Sequence, residues 1–124
     1  MIAADASSLS SFLAGEEGDD VEKLADALAQ DLLRLPPVVV TEILTDPRIG
    51  KLAADRIGAI QLLDIEAGYW RRAGETRATL RRRGLKANVA DALIAQSCID
   101  HGVALITRDH DFRHFAKHCG LKLA

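Results

Sequence analysis

The sequence predicts an α/β fold on a parallel sheet, and three observations predict it. Short apolar runs recur at residues 1–4, 38–41, 60–63, 103–106 and 121–123. Stretches with helical spacing or helix-capping residues lie between them. Glycine and proline mark most of the borders. Strands alternating with helices imply βαβ units, a parallel sheet of four to five short strands and right-handed crossovers.

The elements follow in order. Met1-Ile2-Ala3-Ala4 is an apolar run ending in the carboxylate of Asp5. Ser7 can cap a first helix reaching Leu13, broken by the glycines at 15 and 18. Asp19 or Asp20 opens a second helix on Val21, Leu24, Ala25, Leu28 and Leu32, with acids in its first turn, and Pro36-Pro37 stops it. Val38-Val39-Val40-Thr41 has the strongest strand character in the chain and runs directly into Glu42, with a short helix at 43–45. Pro47 suits the first position of a helix to Ile57, and 60–63 reads as a strand. Residues 66–83 form a long helix closed by Gly84, a natural C′ glycine. Residues 88–101 form a helix apolar nearly all round, hence buried. Gly102 ends it, the strand 103–106 follows, and a helix at 112–118 leads to the last strand, 121–123.

A chain of 124 residues has the length of one domain. Its hydrophobic fraction of 48% with only 4% aromatics predicts an aliphatic core that needs no staples. No run approaches the ~20 apolar residues of a membrane span and no signal-peptide pattern opens the chain. A cytoplasmic setting with Cys98 and Cys119 reduced is therefore expected. The net charge of −2 hides an asymmetry: residues 66–86 carry seven basic and two acidic side chains, and the rest nine basic and sixteen acidic. A local patch can thus meet a polyanion that the whole chain would not attract.

In an open parallel sheet, ligands bind beyond the carboxyl ends of the strands. Asp5, Glu42 and Asp109 each follow an apolar run, so the three should emerge at one edge. Asp91, in the first turn of the helix feeding the 103–106 strand, begins at that edge, and Asp111 is two residues beyond Asp109. Carboxylates about 5 Å apart repel by roughly 3 kcal/mol per pair at an effective dielectric near 20. Such a set persists if some members are protonated or a divalent cation sits among them. Oxygen ligands without Cys or His suit Mg²⁺ or Mn²⁺, which can orient water and stabilise charge on phosphate. Each acid alone has a plainer role. Asp5 and Glu42 could cap following helices, Asp91 fits an Asn88-x-x-Asp91 capping arrangement, and Asp109 and Asp111 could be loop acids. Their coincidence at one edge is what points to phosphodiester hydrolysis.

Met1-Ile2-x-x-Asp5-x-Ser7, Val39-Val40-Thr41-Glu42-Ile43-Leu44, Ala90-Asp91-Ala92-Leu93-Ile94-Ala95 and Leu105-Ile106-Thr107-Arg108-Asp109-His110-Asp111-Phe112 resemble, in order and spacing, the successive motifs of PIN domains. They are most similar to the VapC toxins of VapBC toxin–antitoxin pairs, and the resemblance covers the whole chain as one PIN domain, 1–124. It implies a three-layer fold, Mg²⁺-dependent endoribonuclease activity, a homodimer and neutralisation by a VapB-type antitoxin. By motif position it makes Asp5, Glu42, Asp91 and Asp109 the acidic catalytic set. Asp5, Asp91, Asp109 and Asp111 are then the expected metal ligands. Ala6 departs from the Thr or Ser of many relatives, whereas Ser7 matches a hydroxyl that holds a metal-bound water or fixes Asp5.

Arg81, Arg82 and Arg83, the end of an arginine-rich stretch continued by Lys86, offer an RNA phosphate grip; a solvated helix face is the alternative. Tyr69 and Trp70 could stack bases but suit a core or dimer contact better. His110, His114 and His118 are spaced to share a helix face without a third zinc ligand. Two other functions compete with the nuclease. A catalytically silent PIN-type binding module would not use the intact acid set. A phosphoacceptor receiver domain needs paired acids after the first strand, where Asp5 stands alone, and Asp55 falls in a helical stretch.

Overall fold

The computed structural model describes residues 1–124. Ile2–Ala4 forms β1, the apolar centre of the sheet, with Ala3 and Ala4 wholly buried. It pairs in parallel with β2 (Leu33–Arg34) on one side and β3 (Ala104–Ile106) on the other, Ile2 lying opposite both Leu33 and Ala104. Beyond β3 lies β4 (Lys122–Leu123), giving the order β2-β1-β3-β4, parallel throughout. The chain therefore leaves β1 in opposite directions to reach its two neighbours. That reversal makes the carboxyl ends of β1 and β3 the crevice where an α/β sheet binds ligands.

Seven helices flank the sheet in a three-layer arrangement: α1 (Ala6–Leu13), α2 (Asp19–Ala29), α3 (Pro37–Leu44), α4 (Lys51–Gly58), α5 (Tyr69–Arg82), α6 (Val89–His101) and α7 (Arg113–Cys119). The helix α1 packs on α2, α5 packs on α6 and α7, and α3 touches both α1 and α6. One aliphatic cluster of 23 residues, with Phe112 and Phe115 as its largest members, fills the interior. No helix is long and apolar enough to cross a membrane. Cys98 and Cys119 are free thiols.

The expected strand at 38–41 is instead the body of α3. Pro36 is held extended (ψ 132) and Pro37 occupies the first helical turn, so the prolines that close the preceding segment also start the next helix. Val39 and Ile43, four residues apart, both enter the core. Burial of each is worth about 1.5–3 kcal/mol, more than the few tenths a β-branched residue loses in a helix. Upstream, α2 stops at Ala29, and Asp31 adopts φ 56, turning the chain into β2 before the prolines. Residues 60–63 supply only an isolated bridge, Leu62 to Leu35, and not a strand. The helix placed at 47–57 begins at Lys51, because Asp46 Oδ1 accepts from Arg48 N–H at 2.9 Å and closes a turn around Pro47. The long basic helix begins at Tyr69, after Gly68 in the left-handed region (φ 79). The buried helix α6 has its expected Asn88 cap and Gly102 end.

Candidate active site

Asp5 ends β1 and caps α1. Its backbone is extended (φ −89, ψ 177) and its Oδ1 accepts from Ser8 N–H at 3.1 Å. Ser7 Oγ lies 2.8 Å from Oδ1 and 2.9 Å from Oδ2, and Thr107 Oγ1 donates to Oδ2 at 2.6 Å. Thr107 follows β3, so a hydroxyl fastens the carboxyl ends of the two central strands. The same Thr107 Oγ1 accepts from Asp109 N–H at 3.0 Å, and Asp109 Oδ1 accepts from Asp111 N–H at 2.9 Å, capping the 3₁₀ turn His110–Phe112. Burial raises the Asp5 carboxyl above the usual carboxylate range; the Thr107, Ser8 and Ser7 hydrogen bonds oppose this, and Asp109 adds repulsion.

Asp91 lies in the first turn of α6, its N–H donated to Asn88 Oδ1 at 2.7 Å and its residue surface 8% exposed. Burial, then Asp109, Glu42, Asp111 and Asp5 in that order, push its carboxyl up to about 6. Glu42 comes from α3, and burial followed by the Asp5 charge raises its carboxyl as well. Its Oε1 is buried without a hydrogen-bond partner. Asp91, Asp109 and Asp111 each offer an oxygen within 4.8 Å of the others. At the rim, Lys86 Nζ sits 2.9 Å from Asp111 Oδ2 and holds that carboxyl below its ordinary range.

The geometry thus gathers Asp91, Asp109 and Asp111 into one triad, with Asp5 and Glu42 close enough to shift Asp91. Asp5 is no member of the triad; its oxygens are engaged by hydroxyls and a backbone N–H. Three oxygen donors, a partnerless Glu42 Oε1 and an Asp91 crowded by other acids fit a hard divalent cation. Arg81, Arg82 and Arg83 are exposed at the end of α5, and the ion pair with this cluster is made by Lys86 instead. His110 belongs to the 3₁₀ turn while His114 and His118 belong to α7, and no histidine joins the triad. Tyr69 is core, donating to Leu93 O at 2.6 Å, whereas Trp70 is exposed. Asp55 lies on α4, paired with Lys51 at 2.7 Å.

Two residues had no role in the sequence reading. Thr107 was legible only as a hydroxyl directly after an apolar strand. Arg108 pairs with Asp20 at 2.8 Å and Glu16 at 3.0 Å, tying the α1–α2 turn to the strand end that carries Thr107 and Asp109. Gly18 in that turn has φ 152, and a Cβ there would come within 3.1 Å of Arg108 Nη2 and 2.6 Å of Asp20 Oδ1. Nothing in local spacing announces this contact across 88 residues of chain.

Residues 2–118 match the family model of the PIN domain. The chain belongs to the PIN domain family. This agrees with the resemblance carried by its four motifs and sets the receiver reading aside. Among solved structures, this PIN domain is similar to VapBC2 from Rickettsia felis, crystallised bound to a DNA fragment from their promoter. That match has a TM-score of 0.76 and 20% identity over 100% of this chain and 98% of the other. It is also similar to FitAcB from Neisseria gonorrhoeae, with a TM-score of 0.68 and 17% identity over 100% of this chain and 97% of the other. At these identities the likeness speaks for the fold. No curated protein matches the sequence.

Proposed function

We propose that the chain is a single PIN domain over 1–124 acting as a divalent-metal-dependent endoribonuclease, the cytoplasmic toxin of a type II toxin–antitoxin pair. The observation that carries this reading is the Asp91–Asp109–Asp111 triad, with Asp5 and Glu42 beside it at the carboxyl edge of β1 and β3. Membership of the PIN family and the fold shared with VapBC2 and FitAcB support it.

In this reading Asp91, Asp109 and Asp111, together with Asp5, would hold Mg²⁺ or Mn²⁺. The cation, when bound, polarises a phosphate oxygen and makes water more acidic. The chain's own groups do the rest. Ser7, Ser8 and Thr107 lock Asp5 so that its charge stays fixed while substrate comes and goes. Glu42 Oε1, partnerless and attached to a carboxyl of raised pKa, accepts the proton of the attacking water. Arg81, Arg82 and Arg83 bind RNA phosphates away from the scissile bond. A VapB-type antitoxin silences the site by placing an Arg or Lys among the acids, in the place of the metal's charge. The chain acts as a homodimer, for which exposed Trp70 on α5 and Val89 on α6, flanking a shared hollow with Leu93, supply an apolar contact.

The deciding experiment is RNA cleavage by the purified, antitoxin-free protein. Cleavage in Mg²⁺ or Mn²⁺ that stops with EDTA is expected. Equal cleavage in EDTA, or none across a broad panel of RNAs, overturns the proposal.

A further inference from the structure

Five carboxylates meet at the site, and one basic side chain in the protein is ion-paired to any of them. Lys86 Nζ lies 2.9 Å from Asp111 Oδ2. Arg108, the nearest basic residue in sequence to Asp109, is engaged by Glu16 and Asp20. The backbone that carries Lys86 is fixed on both sides, before it by the Leu85 N–H donated to Leu80 O at 3.0 Å. Arg77 Nε donates to the buried Ala87 carbonyl at 2.8 Å, and Asn88 caps α6. The Lys86 side chain itself is 71% exposed. A lysine rooted in this way, with an exposed side chain held by one surface ion pair, can swing its ammonium between partners at the mouth of the site while its anchor stays put. Three residues before it, the α5 helix ends in Arg81, Arg82 and Arg83.

Charge decides what that ammonium is for. Five ionised acids against one divalent cation leave a net charge near −3, which repels an incoming phosphodiester. Lys86 is the cation positioned to offset that repulsion, and its place continues the basic end of α5 up to the acids.

We propose that Lys86 is a substrate-binding residue: in the free protein its ammonium rests on Asp111, and on loading it transfers to the RNA phosphate entering beside the metal, leaving Asp111 free to serve as a ligand. The inference rests on the metal-dependent nuclease reading, and deepens it by fixing where the backbone of the substrate enters.

The test uses the full chain with Mn²⁺ and a 2′-O-methyl oligoribonucleotide whose survival under the binding conditions is checked on a gel, with cleavage of the matching unmodified RNA measured in parallel. Lys86→Gln should weaken oligonucleotide binding about two- to fivefold at low salt, the range of a solvated ion pair. It should also flatten the log–log salt slope by about 0.7, one phosphate contact on a single strand. The KM for cleavage should rise more than kcat falls. Mn²⁺ affinity measured by calorimetry should hold or increase, because a competing cation has left Asp111. Lys86→Arg should restore binding. Unchanged RNA affinity and slope in Lys86→Gln, beside a wild type that does bind and cleave, would overturn the Lys86 assignment and leave the nuclease reading standing. Weakened Mn²⁺ binding in Lys86→Gln would also overturn it, making Lys86 a support for the metal site. A wild type that neither binds nor cleaves RNA in Mn²⁺ removes both readings together.

Discussion

Replacing Asp91 by Asn should abolish cleavage and yet stabilise the metal-free protein. The helix cap at this end is made by the Asn88 side chain to the Asp91 N–H, so Asn at 91 leaves it intact. What changes is the charge. Asp91 titrates near 6 in the folded protein against 3.8 for the ordinary side chain. A gap of roughly two units corresponds to about 3 kcal/mol against the folded state once the group is ionised. Loss of a favourable helix-terminal acid takes back about 0.3–1 kcal/mol. The variant should therefore be more stable by about 2 kcal/mol at pH 7.5 in EDTA, or roughly 8 °C for a chain of this size. The sign with pH follows from the raised value. Below about 4, Asp91 is protonated in both states and its penalty vanishes; the penalty grows as pH rises through 6. The advantage of Asp91→Asn should accordingly appear between pH 4 and 6.5 and then level off. Mg²⁺ at a hundredfold excess over its dissociation constant should stabilise the wild type by about 2.7 kcal/mol and the variant by less. Thermal melts of both proteins across pH, with EDTA or Mg²⁺, read all of these. A variant that melts lower in EDTA at pH 7.5 and keeps the whole Mg²⁺ shift would reduce Asp91 to a helix-end acid and refute the metal site.

Thr107→Val keeps the shape but removes the 2.6 Å donor to Asp5, so it should cost about 1.5–3 kcal/mol at neutral pH and lower cleavage; an unchanged melting temperature would mean water replaces the hydroxyl freely. Arg108→Ala releases Asp20, whose carboxyl Arg108 helps hold at about 2, and should lower the melting temperature at pH 7. Because the folded value is depressed, that contribution is present above pH 4 and lost as pH falls toward 2, so wild-type and variant melts should converge in acid; a constant gap would point to packing. Replacing Arg81, Arg82 and Arg83 together by Ala should lower the RNA salt slope by up to about 2 while Mn²⁺ binding persists, and an unchanged slope returns them to a solvated helix end.

The sequence showed the acids more clearly than the elements that carry them. Asp5 and Asp109 follow β1 and β3, as the apolar runs that end just before them lead one to expect. Asp91 was placed by its Asn88 cap, a short-range signal that survived intact. Glu42 reached the site by another route: it projects from α3 and not from a strand end. The valine run favours strand by local preference, and what overrode it is the spacing of Val39 and Ile43 against the core after two prolines. β2 was invisible because two residues, Leu33 and Arg34, are too few to show alternation. Contacts such as Arg108 to Asp20 depend on the folded chain returning to itself and leave no trace in spacing.

The scaffold eases the crowding of the acids only in part, and the shortfall is informative. Asp5 and Asp91 sit at the N-terminal ends of α1 and α6, where each helix offers at most about 1 kcal/mol to a carboxylate. A neighbouring acid takes away roughly 3 kcal/mol at 5 Å. Hydroxyls satisfy Asp5 and Lys86 satisfies Asp111, but neither Glu42 Oε1 nor the charge of Asp91 is compensated from within. A fold selected for stability alone would exchange one of these acids for an amide at little structural expense, since Asn88 already caps α6. Five acids kept together, with their relief left to something outside the chain, are what a site for an exchangeable cation requires.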